Sequence, residues 1–472
     1  MKVLFAASEA SPFIRTGGLG DVMGALPAAL KKKGIETAVV LPLYSDMKAE
    51  YRNSLKYIGN TTVYLGWRSQ YAGVFMSRVN DVDYYFIDNE YYFKRNGIYG
   101  HFDDGERFAF FSKAVLETMQ VTGFYPDILQ CNDWQTGLSP LYLDCFYRFV
   151  DGYKTMKTVM TIHNIEFQGR MDKYVIGNVF GVPAGMESIV EYKGDANMLK
   201  AGIESSNKVV TVSPTYAGEI LEPYFAYGLE GILNARSYKL CGIVNGIDTD
   251  LYNPKTDKAL FANFDYKTYA KKAENKHGLQ ELLGLPASDR PLIGMVTRLT
   301  PQKGIDLVLN VIREMLSMDI QFVVLGTGDA KYENALREIG KQFPTKLATA
   351  IYFSSDIASK IYAGSDMFLM PSKYEPCGLS QMIAMRYGAI PIVRETGGLK
   401  DTVPAFDPTT KKGLGFTFKT YNAHDMLGAV QRAVDTFYQP DLWLKGVVKN
   451  AMAADFSWDK SADDYLRLYN NI

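Results

Sequence analysis

The stretch MPSKYEPCGLSQMIAMRYGAIPIVRETGGLKD, Met370 to Asp401, reads as strand end, loop, helix, strand, loop and helix start. Phe368-Leu369-Met370 closes a short apolar run of the kind a buried parallel strand needs. Pro371 to Cys377 is a loop that sets a carboxylate, a proline and a thiol (Glu375, Pro376, Cys377) side by side. Gly378 opens a helix in which Leu379, Met382, Ile383 and Tyr387 recur at helical spacing, and Gly388 stops it. Ala389 to Val393 is the next strand, and Thr396-Gly397-Gly398 leads into another helix. Two successive strand ends therefore present polar groups at helix N-termini. In an open α/β sheet that edge is where ligands bind, and free backbone N–H groups there favour anions.

The string Thr-Gly-Gly-Leu-x-Asp occurs twice, at Thr16 to Asp21 and at Thr396 to Asp401, each time between an expected strand and an expected helix. Glycine pairs let a backbone approach a ligand closely and take positive φ. Two copies in opposite halves suggest two similar domains, each aiming an anion-tolerant loop at a shared ligand. The competing reading is a pair of helix-start turns in which glycine serves packing alone.

A length of 472 residues suits two or three domains. Apolar residues make up 47% and charged residues 22%, as in an ordinary globular protein, and 51 basic against 52 acidic residues leave no footprint for nucleic acid or an anionic membrane. The 13% aromatic content fits ring stacking on sugars or bases, although core packing explains most of it. Cys131, Cys145, Cys241 and Cys377 include no CxxC pair, so neither a zinc site nor a disulfide framework is indicated and a reducing cytosol is the expected setting. Val3 to Ala7 is too short for a signal-peptide core and reads as a first strand; no run approaches membrane-spanning length.

Along the chain, that strand is followed by Arg15-Thr16-Gly17-Gly18-Leu19-Gly20-Asp21, a helix through Leu30 and a strand over Glu36 to Leu41. The unit is Rossmann-like, but its loop is not GxGxxG and no acidic residue ends the second strand, which disfavours a dinucleotide. Val63–Leu65, Val74–Met76 and Tyr84–Ile87 read as short strands of a hairpin region, Tyr91 to Tyr99 as an aromatic loop, and Glu106 to Val121 as a helix. Strands over Asp127–Cys131, Thr158–Ile162 and Val209–Val212 end in Asn132-Asp133-Trp134, His163-Asn164 and Ser213-Pro214. The interdomain connection falls after Cys241–Val244, and a weakly patterned, lysine-rich segment spans Pro254 to Pro286. Strand–helix alternation then restarts: strands Leu292–Val296, Phe322–Leu325, Ala350–Phe353 and Met367–Met370, helices Ile305–Leu316, Lys331–Gln342 and Ile357–Ala363. Such alternation implies a parallel sheet. Final helices are expected over Ala423–Phe437 and Ser461–Tyr469, with Trp458 between them.

Arg298 and Lys303 share one strand-to-helix loop, and two cations facing a Gly-Gly helix start suit a diphosphate leaving group in place of a metal. Glu375 can grip sugar hydroxyls or, alternatively, cap the helix that follows. Cys377 as a nucleophile lacks a visible local His partner. His163 follows a strand directly, which favours a functional over a core role.

Together these motifs resemble the bacterial glycogen synthase and plant starch synthase family. The resemblance covers the whole chain through Arg15 to Val22, Thr161 to Asn164, Val244 to Asp248, Arg298 to Gly304, Pro371 to Leu379 and Arg394 to Leu399. It implies an α/β GT-B fold: two Rossmann-like doubly wound parallel-sheet domains with a deep cleft between them. The first would be residues 1–242, with a C-terminal helix at 457–472 packing back on it, and the second 243–456. The implied reaction moves glucose from ADP-glucose to the non-reducing 4-hydroxyl of an α-1,4-glucan, retaining configuration and using no cofactor or metal. By that resemblance Arg298 and Lys303 hold the diphosphate, Thr396, Gly397 and Gly398 offer it their loop, and Glu375, Cys377 and Gly378 bind the sugar hydroxyls. His163 and Asn245 lie near the 6-hydroxyl, with the His163 carbonyl facing the oxocarbenium-like centre. Arg15, Gly18 and Asp21 belong to the donor side, Tyr352 stacks on the nucleobase, and Asp133 sits on the acceptor side. Donor binding should close the domains.

The chain departs from the family in carrying Arg15 where lysine is usual, a cation of different shape and donor geometry. Around Asp133 it has Gln130-Cys131-Asn132 and Trp134-Gln135 where histidines are common. Ile383 stands where many GT-B relatives have a second Glu, which argues against sucrose-synthase-like enzymes. The rival readings are a GT-B glucosyltransferase using UDP-glucose or another acceptor, a non-catalytic glucan-binding homologue, and a dinucleotide oxidoreductase.

Overall fold

The computed structural model describes residues 1–472 and divides into two units: Met1–Gly246 joined by Trp458–Ile472, and Ile247–Ser457. Each is built on its own parallel sheet. No helix is long and apolar enough to cross a membrane.

In the first unit twelve strands form: β1 Lys2–Ala6, β2 Glu36–Pro42, β3 Lys56–Leu65, β4 Arg68–Val79, β5 Val82–Asp88, β6 Ile128–Asn132, β7 Lys157–Ile162, β8 Arg170–Asp172, β9 Glu191–Tyr192, β10 Asp195–Asn197, β11 Lys208–Thr211 and β12 Leu240–Gly242. Nine make one sheet in the order β12-β11-β7-β6-β1-β2-β5-β4-β3. From β12 to β5 every neighbour is parallel, and β4 and β3 add an antiparallel hairpin at the edge. That hairpin is far longer than the short apolar patches suggest, because its outer residues are polar and carry no alternation to read. β8, β10 and β9 form a small antiparallel sheet that the sequence pattern does not announce.

Period-two burial places Val3, Phe5, Val39 and Leu41 in one core. The helix Gly18–Lys32 covers them with Val22, Met23, Leu26 and Leu30 at helical spacing. The chain's last helix, Trp458–Asn470, packs into the same core through Trp458, Ala462, Tyr465 and Tyr469. It is tied down by Lys33–Asp463 at 2.6 Å, by Ser461 Oγ donating to the Val244 carbonyl at 2.7 Å, and by the Tyr469 hydroxyl on Gln130. Trp458 therefore opens this helix rather than preceding it, since its indole belongs to the buried face.

The second unit has six strands: β13 Leu292–Val296, β14 Gln321–Leu325, β15 Leu347–Ala350, β16 Met367–Met370, β17 Ile390–Arg394 and β18 Phe416–Phe418. They pair in parallel throughout, in the order β15-β14-β13-β16-β17-β18. One expected strand is displaced: register fixes β15 by Phe322↔Leu347 through Leu325↔Ala350, so Ile351-Tyr352-Phe353 lies beyond the sheet. Phe353 is 89% exposed; its apolar run imitated a strand without being buried. The lysine-rich segment also hides a helix, Lys272–Leu282, whose Lys272, Asn275 and Lys276 are buried despite their polarity.

In both sheets the strand order reverses once, between β1 and β6 in the first and between β13 and β16 in the second. The loops leaving such a pair diverge to opposite faces and open a crevice at the strand C-termini.

Candidate active site

The crevice of the second unit is flanked by the loop after β13 and the loop after β16, and the two are stitched together. Lys373 N–H donates to the Gln302 carbonyl at 2.8 Å. Gly304 takes φ +72°, and a Cβ there would stand 2.1 Å from the Pro371 carbonyl oxygen. This close approach puts Lys303 Nζ 2.7 Å from Glu375 Oε2, which also accepts from Ser372 Oγ at 2.9 Å. Glu375 does not cap the following helix; that helix begins at Ser380 with no side-chain cap. Arg298, on the same loop as Lys303, is exposed. The loop thus carries two cations, Lys303 paired with Glu375 and Arg298 exposed, at a strand end where an α/β sheet binds ligands.

The second glycine loop lies directly on Glu375–Cys377. Gly397 has φ +44° and its absent Cβ would sit 2.0 Å from the Glu375 carbonyl; that of Gly398 would sit 2.1 Å from the Cys377 carbonyl. Gly398 N–H donates to the Glu375 and Pro376 carbonyls, both at 3.1 Å. Its N–H is thus turned into the protein, not toward a diphosphate as the sequence suggests, because the loop is pressed too closely on its neighbour. Thr396 is buried at the start of the same helix. Gly378 takes φ +74° at the turn after Cys377, whose side chain is itself buried. Tyr352 stands in the loop after β15 and is 46% exposed, available for stacking.

A residue given no role by the sequence organises this loop. Arg394, buried at the end of β17, donates from Nε to the Ser372 carbonyl at 3.0 Å, from Nη2 to the Lys373 carbonyl, and from Nη1 to the Lys419 carbonyl at 3.4 Å. The signal was an arginine at a strand C-terminus next to a Gly-Gly turn.

In the first unit, Asp133 and His163 follow adjacent strands β6 and β7 and meet. Asp133 Oδ1 accepts the His163 backbone N–H at 2.7 Å. Asp133 is not glycine yet holds φ +56°, a strained backbone of the kind that clusters at functional sites. Both side chains are partly accessible, but the protein around them shifts both titrations. Burial raises the Asp133 carboxyl to about 7 against the backbone N–H groups of His163 and Asn164, with the Glu9 charge adding to the rise. Burial lowers His163 to about 4, so the ring is neutral. Asn132 Nδ2 donates to the Ala6 carbonyl at 3.0 Å, which turns its Oδ1 toward His163 Nε2 at 2.9 Å. Nε2 then carries the proton and Nδ1 is left as acceptor.

Glu9, almost fully buried and unremarked in the sequence, shapes the first glycine loop: it accepts from Thr16 N–H, from Thr16 Oγ1 at 3.1 Å and from Gly17 N–H at 3.2 Å. Gly18 is exposed, and a Cβ there would meet nothing within 4 Å. Arg15 Nη2 reaches Asp21 Oδ2 at 3.0 Å from the surface. Asn245 is buried, and its Oδ1 has no partner within the protein. No group of three or more His, Cys, Asp or Glu side chains is placed to hold a metal ion.

Residues 2–235 match the family model for the starch synthase catalytic domain, and residues 284–436 match that for glycosyl transferases group 1. The glycogen synthase of Clostridium acetobutylicum is 50% identical over the full length of both chains, and that of Alkaliphilus metalliredigens 48%. The catalytic domain of starch synthase IV from Arabidopsis thaliana, solved with ADP and acarbose, superposes with TM-score 0.91 at 36% identity, covering 100% of this chain and 98% of that one. A sucrose-phosphate synthase from Thermosynechococcus elongatus shares the fold alone, with TM-score 0.61 at 15% identity. The chain is a glycosyltransferase of GT-B architecture and belongs to the glycogen synthase and starch synthase family.

Proposed function

We propose that this enzyme transfers glucose from ADP-glucose to the 4-hydroxyl at the non-reducing end of an α-1,4-glucan, retaining configuration and requiring no metal. The observation that carries the reading is the Lys303–Glu375 pair at 2.7 Å, with exposed Arg298 on the same loop as Lys303, at the strand-order reversal of the second unit. When the bond from glucose C1 to the diphosphate breaks, its electron pair leaves with the phosphate oxygen. Arg298 and Lys303 stabilise that charge where it develops. The acceptor 4-hydroxyl oxygen bonds C1, and its proton passes to the departing phosphate. Glu375, shared between Lys303 and Ser372, is held rigidly enough to orient sugar hydroxyls.

On the first unit, neutral His163 offers Nδ1 to a hydroxyl, the unpartnered Asn245 Oδ1 is a second acceptor, and Asp133 faces the acceptor. Gly18, Arg15 and Asp21 serve the donor, and exposed Tyr352 takes the nucleobase. ADP as the nucleotide is supported by the ADP-bound starch synthase. Four free cysteines suit a cytoplasmic setting.

The second reading, UDP-glucose as donor, is favoured only by Arg15. Glucose incorporation into glycogen from each nucleotide sugar, with EDTA present, separates them. Incorporation from ADP-glucose alone carries the proposal. Preference for UDP-glucose, or abolition by EDTA, overturns the corresponding part of it.

A further inference from the structure

Past the end of β18 the second unit carries a tyrosine that reaches both loops of its crevice. The chain there runs Lys419-Thr420-Tyr421-Asn422 into the helix Ala423–Phe437. This short connection is held at each end. The Lys419 carbonyl accepts from Arg394 Nη1 at 3.4 Å, and Asn422 Oδ1 caps the helix by accepting the His424 N–H at 2.9 Å and the Asp425 N–H at 3.2 Å. Tyr421, between them, is a fixed point from which to hold something else.

Its hydroxyl donates to Asp306 Oδ1 at 2.6 Å, and the Pro301 carbonyl stands 3.4 Å from the same hydroxyl. Asp306 lies in the first turn of the helix Ile305–Ser317, and Pro301 opens the short turn Pro301–Lys303. Lys303 is therefore flanked on both sides by groups that Tyr421 engages. The ring of the same tyrosine lies 5.7 Å from the Arg394 guanidinium, which braces the loop of Ser372 and Glu375. One side chain thus joins the cation-bearing loop after β13 to the brace of the loop after β16. Packing alone would be served as well by phenylalanine. The hydroxyl adds a directional hydrogen bond to a carboxylate, of the strong kind that fixes a distance.

We propose that Tyr421 is a positioning residue, whose hydroxyl keeps the Arg298–Lys303 loop in register with the Glu375 loop so that both cations meet the diphosphate of the donor. The inference rests on the reading of Arg298 and Lys303 as the groups that hold that diphosphate.

The test uses the full-length enzyme and compares inhibition by ADP with inhibition by AMP, which keeps the nucleoside and lacks the second phosphate. Tyr421→Phe leaves the ring over Arg394 and removes only the hydroxyl. It should narrow the preference for ADP over AMP about five- to tenfold and lower kcat by a similar factor, with the glycogen KM within about twofold of the wild type. Asp306→Asn retains an acceptor and should behave as the wild type. Asp306→Leu should reproduce Tyr421→Phe, and the two combined should be no worse than either alone. General loosening of the fold would weaken both nucleotides alike and leave their ratio unmoved. An unmoved ratio in Tyr421→Phe, additive losses in the double variant, or a raised glycogen KM overturns the proposal. A wild type inhibited equally by ADP and AMP would instead undo the reading of the two cations, and the inference with it.

Discussion

Lys303 Nζ and Glu375 Oε2 stand 2.7 Å apart with side chains only 16% and 9% exposed, although 72 residues separate them in the chain. A pair this enclosed is asymmetric in its energetics: removing one member strands the other, at about 3–5 kcal/mol, whereas removing both is far milder. Lys303→Met or Glu375→Leu alone should lower the melting midpoint markedly, and the double variant should recover most of it. Transfer activity should fall at least about a hundredfold in all three, because the charge proposed to stabilise the leaving group is gone or misplaced. A double variant as unstable as the worse single one would show that the two side chains act separately.

The raised Asp133 carboxyl gives stability a pH dependence whose sign is fixed. Its ordinary value is 3.8 and its value in the fold about 7, so between these limits the native state keeps a proton that the unfolded chain has lost. Stability therefore falls as pH rises through that window, and the penalty is complete above about 7. Asp133→Asn should raise the melting midpoint at pH 8 and leave it nearly unchanged at pH 4. His163, lowered to about 4, acts in the opposite sense between 4 and 6.5, but it is present in both proteins and drops out of the comparison. Equal shifts at the two pH values would mean that the gain has another origin.

The two Thr-Gly-Gly-Leu-x-Asp strings look alike on paper and differ in space. Gly398 has no room for a Cβ, with the Cys377 carbonyl 2.1 Å away, and a backbone atom cannot step aside; Gly18 has nothing within 4 Å. Gly398→Ala should yield a destabilised, inactive protein. Gly18→Ala should fold with an unchanged melting midpoint yet raise the donor KM, if that open space is where the donor approaches. Similar melting curves for the two variants would contradict the distinction.

That contrast marks what a linear reading can recover. Buried parallel strands such as Leu292–Val296 are continuous apolar runs, and the helix after it repeats Ile305, Val308, Ile312 and Met315, so both sheets were legible. Residues that follow strand ends were legible too, because an α/β sheet collects its ligand-facing groups there. Illegible were the residues whose partners depend on how a loop folds or lie far away in the chain. Glu9 looks like any early acid until the Thr16 loop folds over it, and the Asn132 amide that fixes the His163 tautomer is bonded to Ala6 across the sheet. The misplaced strand at Ile351–Phe353 failed for the converse reason: its apolar side chains are on the surface.

Arg394 is the sharpest case of a hidden support. Its fork of donors spans three carbonyls that a lysine ammonium cannot reach from one position. Arg394→Lys should keep charge and fold but loosen the Ser372–Glu375 loop. The expected result is a loss of about ten- to a hundredfold in kcat with ADP-glucose, with the glycogen KM unmoved. A matching rise in the glycogen KM would point to general damage rather than to loop positioning.

Arg15 poses the narrowest question, since the proposed reading sets it on the donor side and lysine is the residue expected there. Its guanidinium is half exposed and held to Asp21 at 3.0 Å. Exposed pairs contribute little, at most about 1 kcal/mol, so Arg15→Lys should leave the melting midpoint in place. Any effect should then appear in substrate choice. A planar fork can reach two phosphate oxygens at once, while an ammonium acts as a point charge. If Arg15 contacts the donor, the lysine variant should change the KM for ADP-glucose by a few-fold and shift the ratio of ADP-glucose to UDP-glucose turnover. An unmoved ratio would confine Arg15 to its pairing with Asp21 and leave nucleotide choice to the second unit, where Tyr352 stands.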